Sequence, residues 1–181
     1  TLFRSAQFMT EKAGGSDAGA AESVAAFDAD ADDGTGKKGH WRLTGDKWFC
    51  SHADGDLVMI LARPEGAPDG SRGLGLFVMP RYLENGEKNS YTIIRLKDKL
   101  GTRSMASGEV HLDGAIAYPL GDLENGFKNM LDQVNLSRLS HGVRAAAMMR
   151  RCLNESLAVA HTRSAFKQRL IDMPLVRRQL L

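Results

Sequence analysis

The sequence predicts an all-β unit followed by helices, and three observations carry the prediction. Of the 19 glycines, 17 fall within residues 1–125. They separate short alternating or β-branched runs, which is how a series of strands and turns reads. After Asn125 and Gly126 the apolar period changes: Leu139, Val143, Ala146, Met149, Leu153, Leu157 and Ala160 recur at spacings of three and four. No proline interrupts Gly126 to His161, so one helix on the order of 50 Å long is expected there.

Taken in order, the candidate strands are Ala6 to Thr10, Glu22 to Ala29, Trp41 to Thr44, Lys47 to Ser51, Leu57 to Arg63, Leu74 to Met79, Tyr91 to Leu96 and Gly108 to Leu112. Gly45 and Asp46 predict a tight hairpin between Leu43 and Lys47. The acidic and Gly-rich stretches Asp28 to Gly39 and Pro64 to Gly73 read as exposed loops. A second helix is expected from Asp172, Met173 and Pro174, with an acidic cap and an early proline. The chain starts without Met and stops at Leu180 and Leu181 as that helix begins, so it reads as a piece of a longer protein. Other helices would have to cover the apolar stripe of the long one.

The 181 residues are 43% apolar, with 24 basic and 22 acidic side chains. Such a chain is neither disordered nor a disulfide scaffold, and about 70% of its unfolded surface can be buried. Neither a membrane-length apolar run nor a signal-peptide pattern is present in the sequence, which predicts a cytosolic location and no membrane partner. Cys50 and Cys152 have no metal-ligand spacing and read as buried small hydrophobes. The five histidines likewise lack metal-ligand spacing, so no metal is expected. The net charge of +2 hides a gradient: residues 1–125 carry 14 basic and 19 acidic groups, residues 126–181 carry 10 and 3. A basic helical segment suits phosphates, a nucleic acid or an acidic subunit, and equally a solvated face.

The sharpest motif is Met9, Thr10, Glu11, Lys12, Ala13, Gly14, Gly15, Ser16 and Asp17 at the end of the first strand. Adjacent glycines let backbone N–H groups approach a bound oxygen, and Thr10 and Ser16 add donors without charge. On residues alone it is a Gly-rich turn with an Asp cap. The segment resembles the flavin-side signature of acyl-CoA dehydrogenases. Three further blocks resemble that family in order and spacing: Gly45 to Ser51, Leu100 to Ser104, and Arg163 followed by Phe166. Within it, the Lys12-to-Gly15 filling, Lys47-Trp48-Phe49, the run Arg95 to Gly101, Met148 to Arg151 and Pro174 resemble the alkylation-response (AidB-type) branch.

The resemblance implies an all-β barrel middle domain over residues 1–125 and the first helices of a truncated helical-bundle domain over residues 126–181. It implies FAD as cofactor. Gln7, Met9 and Thr10 would meet the flavin pyrimidine edge, and Ser16 the cofactor or the thioester pantetheine. Phe49 stands where a Trp commonly covers the isoalloxazine, Ser51 where a Thr hydroxyl bonds N5, and Cys50 lies between them. Arg163 and Phe166 would meet the FAD of a neighbouring subunit.

The family reaction removes a proton α to a thioester and passes the β hydride to flavin N5, which needs a carboxylate base. The position that carries it on the long helix in a minority of members is Ser137, before Arg138, and Asp132 is too far along the helix to replace it. No catalytic residue is therefore assigned, and the isolated chain is expected to be inactive. The implied partners are an acyl-CoA thioester, an electron-transfer flavoprotein or other acceptor, and further copies in a homo-oligomer, a dimer or tetramer. The alternative is a DNA-binding flavoprotein with weak or no dehydrogenase activity.

Overall fold

A computed structural model describes residues 4–13 and 15–180 of the chain. Gly14 of the motif and the last residue, Leu181, lie outside the described residues. The order is β1 (Ser5–Phe8), β2 (Val24–Asp32), β3 (Lys38–Ser51), β4 (Leu57–Pro64), β5 (Gly75–Pro80), β6 (Tyr91–Leu96), β7 (Ser107–Pro119), α1 (Gly126–Thr162), the two-residue strands β8 (Ser164–Ala165) and β9 (Gln168–Arg169), and α2 (Pro174–Leu180). Short 3₁₀ turns join them at Ala18–Ala20, Ser71–Gly73, Leu123–Asn125 and Leu170–Asp172.

β1 to β7 form one mixed sheet. Its hub is β4, which pairs in parallel with β1 and β2 and antiparallel with β5. The near-continuous apolar run from Leu57 to Ala62 fits that place, because a strand with neighbours on both edges and a covered face has few positions for polar side chains. From β4 the pairing passes through β2, β3, β7 and β5 and returns to β4, while β6 adds to β7. Inward-facing Phe8, Leu43, Val58, Ile60, Phe77, Met79, Val110 and Leu112 are fully buried in one cluster. Each contributes roughly 1.5–3 kcal/mol of burial free energy. Trp41 carries the packing outward, tilted against Phe77 at 5.5 Å and edge-on to Phe27 at 5.6 Å.

The structure corrects three expectations. There is no hairpin at Gly45 and Asp46: β3 runs unbroken for 14 residues, paired along its length with β7. Glycine stands there because φ is +139° and a Cβ would lie 2.7 Å from the Ser23 hydroxyl. On the facing strand Gly114, at φ +68°, is the extra residue of a bulge, since Leu43 pairs Ala115 while Thr44 pairs Asp113. Next, the stretch from Asp28 to Gly39 is not one loop. β2 continues to Asp32 with Ala31 buried, and only residues 33–37 form the connection to β3. Finally, Cys152 is exposed on α1 rather than buried, because that part of the helix lacks apolar cover among the described residues; Cys50 is buried as expected.

The chain divides into two compact units, one ending at Leu131 and the other beginning at Asp132. In the second, α1 runs to Thr162 and the hairpin β8–β9 follows, closed by Phe166 and Lys167 at φ 52° and 64°. α2 opens on Pro174, as expected. Among the described residues no helix is long and apolar enough to cross a membrane.

Candidate functional site

Among the described residues β1 pairs with β4 on one edge only, which leaves alternate backbone groups on its other edge for other partners. Beyond its end, the Thr10 carbonyl accepts the Trp48 N–H at 2.9 Å, which seats the start of the motif loop on the last third of β3. The loop is held by Glu11. Its carboxylate is buried, accepts the Glu22 N–H at 2.6 Å and the Ser23 N–H at 3.3 Å, and pairs with Lys47, whose ammonium also donates to the Leu61 carbonyl at 2.7 Å. Burial alone would raise the Glu11 carboxyl, but the Lys47 charge and these hydrogen bonds hold it below its ordinary value. Glu11 thus ties the loop to β3, to β4 and to the segment entering β2. Met9 and Thr10 are half-buried and Ser16 is exposed. The Gln7 side-chain oxygen is buried without a hydrogen-bond partner among the described residues.

A second bulge shapes the facing wall. Lys47 pairs Val110 and Cys50 pairs Gly108, so three steps on β3 oppose two on β7. Lys47 and Cys50 both point inward, and Trp48 and Phe49 are both turned away from the core. Phe49 is 56% exposed, far from the environment of an ordinary packing residue. The two rings stand perpendicular, 6.3 Å apart. Burial pushes the Cys50 thiol up to about 12, which keeps it protonated and unreactive. Ser51 is exposed, with its hydroxyl 3.4 Å from that of Ser107. His52 follows at φ 58°, a left-handed position that turns the chain toward β4.

The third block is an exposed turn. Met105 N–H donates to the Thr102 carbonyl at 3.0 Å, and the Lys99 ammonium closes its base on the Met105 carbonyl at 2.7 Å and the Ser107 hydroxyl at 3.1 Å. Arg103 bonds back to the Lys99 carbonyl and pairs with Asp98. Gly101, Thr102, Arg103 and Ser104 stay accessible.

The first unit therefore gathers Gln7, Met9, Thr10, Phe49, Cys50 and Ser51 at the joined ends of β1 and β3, with Ser16 farther along the same loop. In the second unit Arg163 and Phe166 are both exposed, Phe166 at 91%. A left-handed backbone at a bulky residue costs roughly 1–2 kcal/mol. The hairpin thus spends stability on presenting an aromatic ring to solvent. Asp132 is exposed on α1 and Ser137 half-buried.

Two residues that the sequence reading passed over are central to the wall. Lys47 is fully buried, and no residue-level signal marks a lysine for the interior. Lys97 lies over both Trp48 and Phe49, at 3.2 and 4.7 Å from the ring centroids. A stacking face, a nearby hydroxyl, free strand-edge groups and an unpartnered amide oxygen suit a flat heterocycle with polar edges.

Residues 6–115 match the family model "Acyl-CoA dehydrogenase, middle domain", and residues 124–181 the model "Acyl-CoA dehydrogenase, C-terminal domain". Acyl-CoA dehydrogenase family member 11 of Caenorhabditis elegans is 37% identical over 175 residues, covering 94% of this chain and 27% of that protein. AidB of Escherichia coli (strain K12) is 38% identical over 172 residues, covering 95% of this chain and 29% of that protein. Among solved structures, Caenorhabditis elegans ACDH-11 in complex with C11-CoA superposes with a TM-score of 0.83 at 35% identity, over 99% of this chain and 30% of that one. The apo form of Bd2924 gives 0.85 at 35% identity, over 99% and 35%. The chain spans less than a third of the length of the first two relatives.

Proposed function

The chain belongs to the acyl-CoA dehydrogenase family, and from that membership we propose that it forms the flavin-facing part of an FAD-dependent oxidoreductase of acyl-CoA thioesters. Family members are FAD-dependent flavoproteins. FAD supplies the hydride acceptor for oxidation at the α and β carbons of the acyl group. The residues present fit it. Phe49 offers a stacking face, Ser51 a hydroxyl beside that face, and Gln7, Met9 and Thr10 the polar edge of β1, where the unpartnered Gln7 oxygen awaits a donor. Ser16, exposed on the same loop, is assigned to the cofactor or the pantetheine. Arg163 and Phe166 supply a guanidinium for paired phosphates and a ring for adenine. Ser137 has no carboxylate, so the proton-abstracting base is not carried before Arg138.

The single observation that carries this reading is the bulge that turns Phe49 outward beside Ser51. The ring of strand pairings supports a closed barrel as the middle domain, and the two family-model matches, 6–115 and 124–181, favour residues 1–125 and 126–181 as the two domains. An acyl-CoA substrate is supported by the relative solved with C11-CoA, and an electron-transfer flavoprotein or other acceptor and a homo-oligomeric state go with the family reading. The test is the visible spectrum of the full-length protein and its titration with acyl-CoAs of graded length. Bound FAD that bleaches with a thioester is the expected result. FAD absent from wild type, or undiminished in Phe49→Ala and Ser51→Ala together, overturns the reading.

A second reading rests on the exposed basic residues of the second unit, nine Lys and Arg against three Asp and Glu from Asp132 onward. A DNA-binding flavoprotein predicts salt-dependent retardation of duplex DNA by the full-length protein. No retardation at low salt excludes it.

A further inference from the structure

The wall at Trp48 and Phe49 is not only aromatic; it is cationic. Three positive groups stand around the Trp48 ring: Lys97 at 3.2 Å from the centroid, Lys12 at 5.2 Å and Arg95 at 5.8 Å. Lys12 belongs to the motif loop, while Arg95 and Lys97 come from the end of β6 and just beyond it. Among the described residues one carboxylate answers them. Glu109 of β7 is nearly buried and accepts Lys97 Nζ at 2.6 Å and Arg95 Nε at 2.7 Å. The cluster is left with a positive excess.

Lys97 differs from the other two cations. Its side chain is only 13% exposed, against 64% for Arg95, and its ammonium also lies 4.7 Å from the Phe49 centroid. Held on one side by Glu109, it can reach both rings at once, and a cation fixed on two aromatic faces restricts how those rings turn. A charge so shielded from water acts over longer range than a surface lysine.

We propose that Lys97 is a positioning residue for the flavin site: it fixes the outward pair Trp48–Phe49 and places a positive charge behind the ring that faces the isoalloxazine. The inference rests on the flavin reading above. Two-electron reduction with uptake of one proton leaves the flavin one unit more negative, so a fixed cation behind the wall favours the reduced form. Glu109 sets how much of that charge is felt.

The test uses the full-length protein loaded with FAD. Stepwise reduction by dithionite in the presence of a reference dye gives the two-electron equilibrium for wild type, Lys97→Met, Lys97→Arg and Glu109→Gln. Lys97→Met should keep FAD but shift the equilibrium about tenfold toward oxidised flavin, which is about 30 mV. Lys97→Arg, which restores charge and ring contact, should stay within about threefold of wild type. Glu109→Gln, which removes the balancing charge, should shift it the opposite way. Should Lys97→Met fail to fold, the direction of the Glu109→Gln shift decides. FAD-loaded Lys97→Met with the wild-type equilibrium, or Glu109→Gln shifted toward oxidised flavin, overturns the proposal while leaving the flavin reading intact. Wild-type protein without FAD overturns both.

Discussion

Replacing Lys47 by Met removes the only cation that contacts the buried Glu11 carboxylate among the described residues. Lys47 is fully enclosed and Glu11 is 5% exposed, so water cannot take over from the lost partner. Removing one member of a buried ion pair costs about 3–5 kcal/mol. For a chain of this size that lowers the melting temperature by roughly 6–20 °C. The double variant Glu11→Gln/Lys47→Met should cost much less, about 1 kcal/mol, because no charge remains buried and the amide oxygen still accepts the Glu22 N–H. The expected coupling is therefore at least about 2 kcal/mol. Urea unfolding of the four members of the cycle measures it, with the midpoints compared at constant slope. The pH dependence adds a sign. Because Glu11 titrates below its ordinary value of 4.5 in the folded protein, its contribution is complete above pH 4.5 and is lost as the pH falls through the lowered folded value. Additive single-variant costs, or a loss below about 1 kcal/mol for Lys47→Met, would refute the pair as the clamp of the motif loop.

Other consequences are as direct. Tyr118 donates to Asp33 at 3.0 Å, and burial, then this bond, push its phenol from 10.0 up to about 12. Stability owed to the neutral phenol is present below pH 10.0 and lost as the pH rises toward 12. Burial raises the Tyr91 phenol as well, so ultraviolet titration should show two late tyrosines in wild type and one in Tyr118→Phe. Gly45→Ala should lower stability by about 2–4 kcal/mol, since it adds both a strained φ and a clash with Ser23; an unchanged urea midpoint would count against the geometry of β3. With an aromatic disulfide reagent near neutral pH, Cys152 should react at once and Cys50 only on unfolding. Two fast thiols per chain would contradict the burial of Cys50.

The legible parts of the fold were those where one local rule acted alone. The helical period from Gly126 onward and the proline that opens α2 needed no tertiary information, and the apolar run of β4 announced itself. The misread hairpin had a local origin. Gly45-Asp46 carries turn chemistry, yet it meets Asp113-Gly114 at a single irregularity between β3 and β7, where two positive-φ glycines bend a ladder instead of reversing it. The acidic repeat of β2 hid an alternation whose only fully buried landmark near its end is the small Ala31. At the site, Thr10, Phe49 and Ser51 were found because the motif names them. Lys47 and Lys97 were not, because what defines them is enclosure and ring contact, properties of partners 36 and 49 positions away for which a lysine codon gives no sign.

The parallel seat of β1 on β4 bears on the lifetime of the site. Among the described residues four ladder pairs and one fully buried side chain, Phe8, hold that strand, and its flanking Arg4 bridges to Asp54 and Asp56 are half-exposed and weak. Joining it closes a span of about fifty residues, whereas β2–β3 and β4–β5 close locally. The edge that carries Gln7, Met9 and Thr10 is then the last to dock and the first to lift, a local opening well below global unfolding. Amide exchange should run fastest there in the empty protein and slow when a ligand lies across the edge, by the binding free energy of that ligand. Cofactor loading and the order of the N-terminal strand become one equilibrium, and protection of a four-residue strand becomes a measure of occupancy.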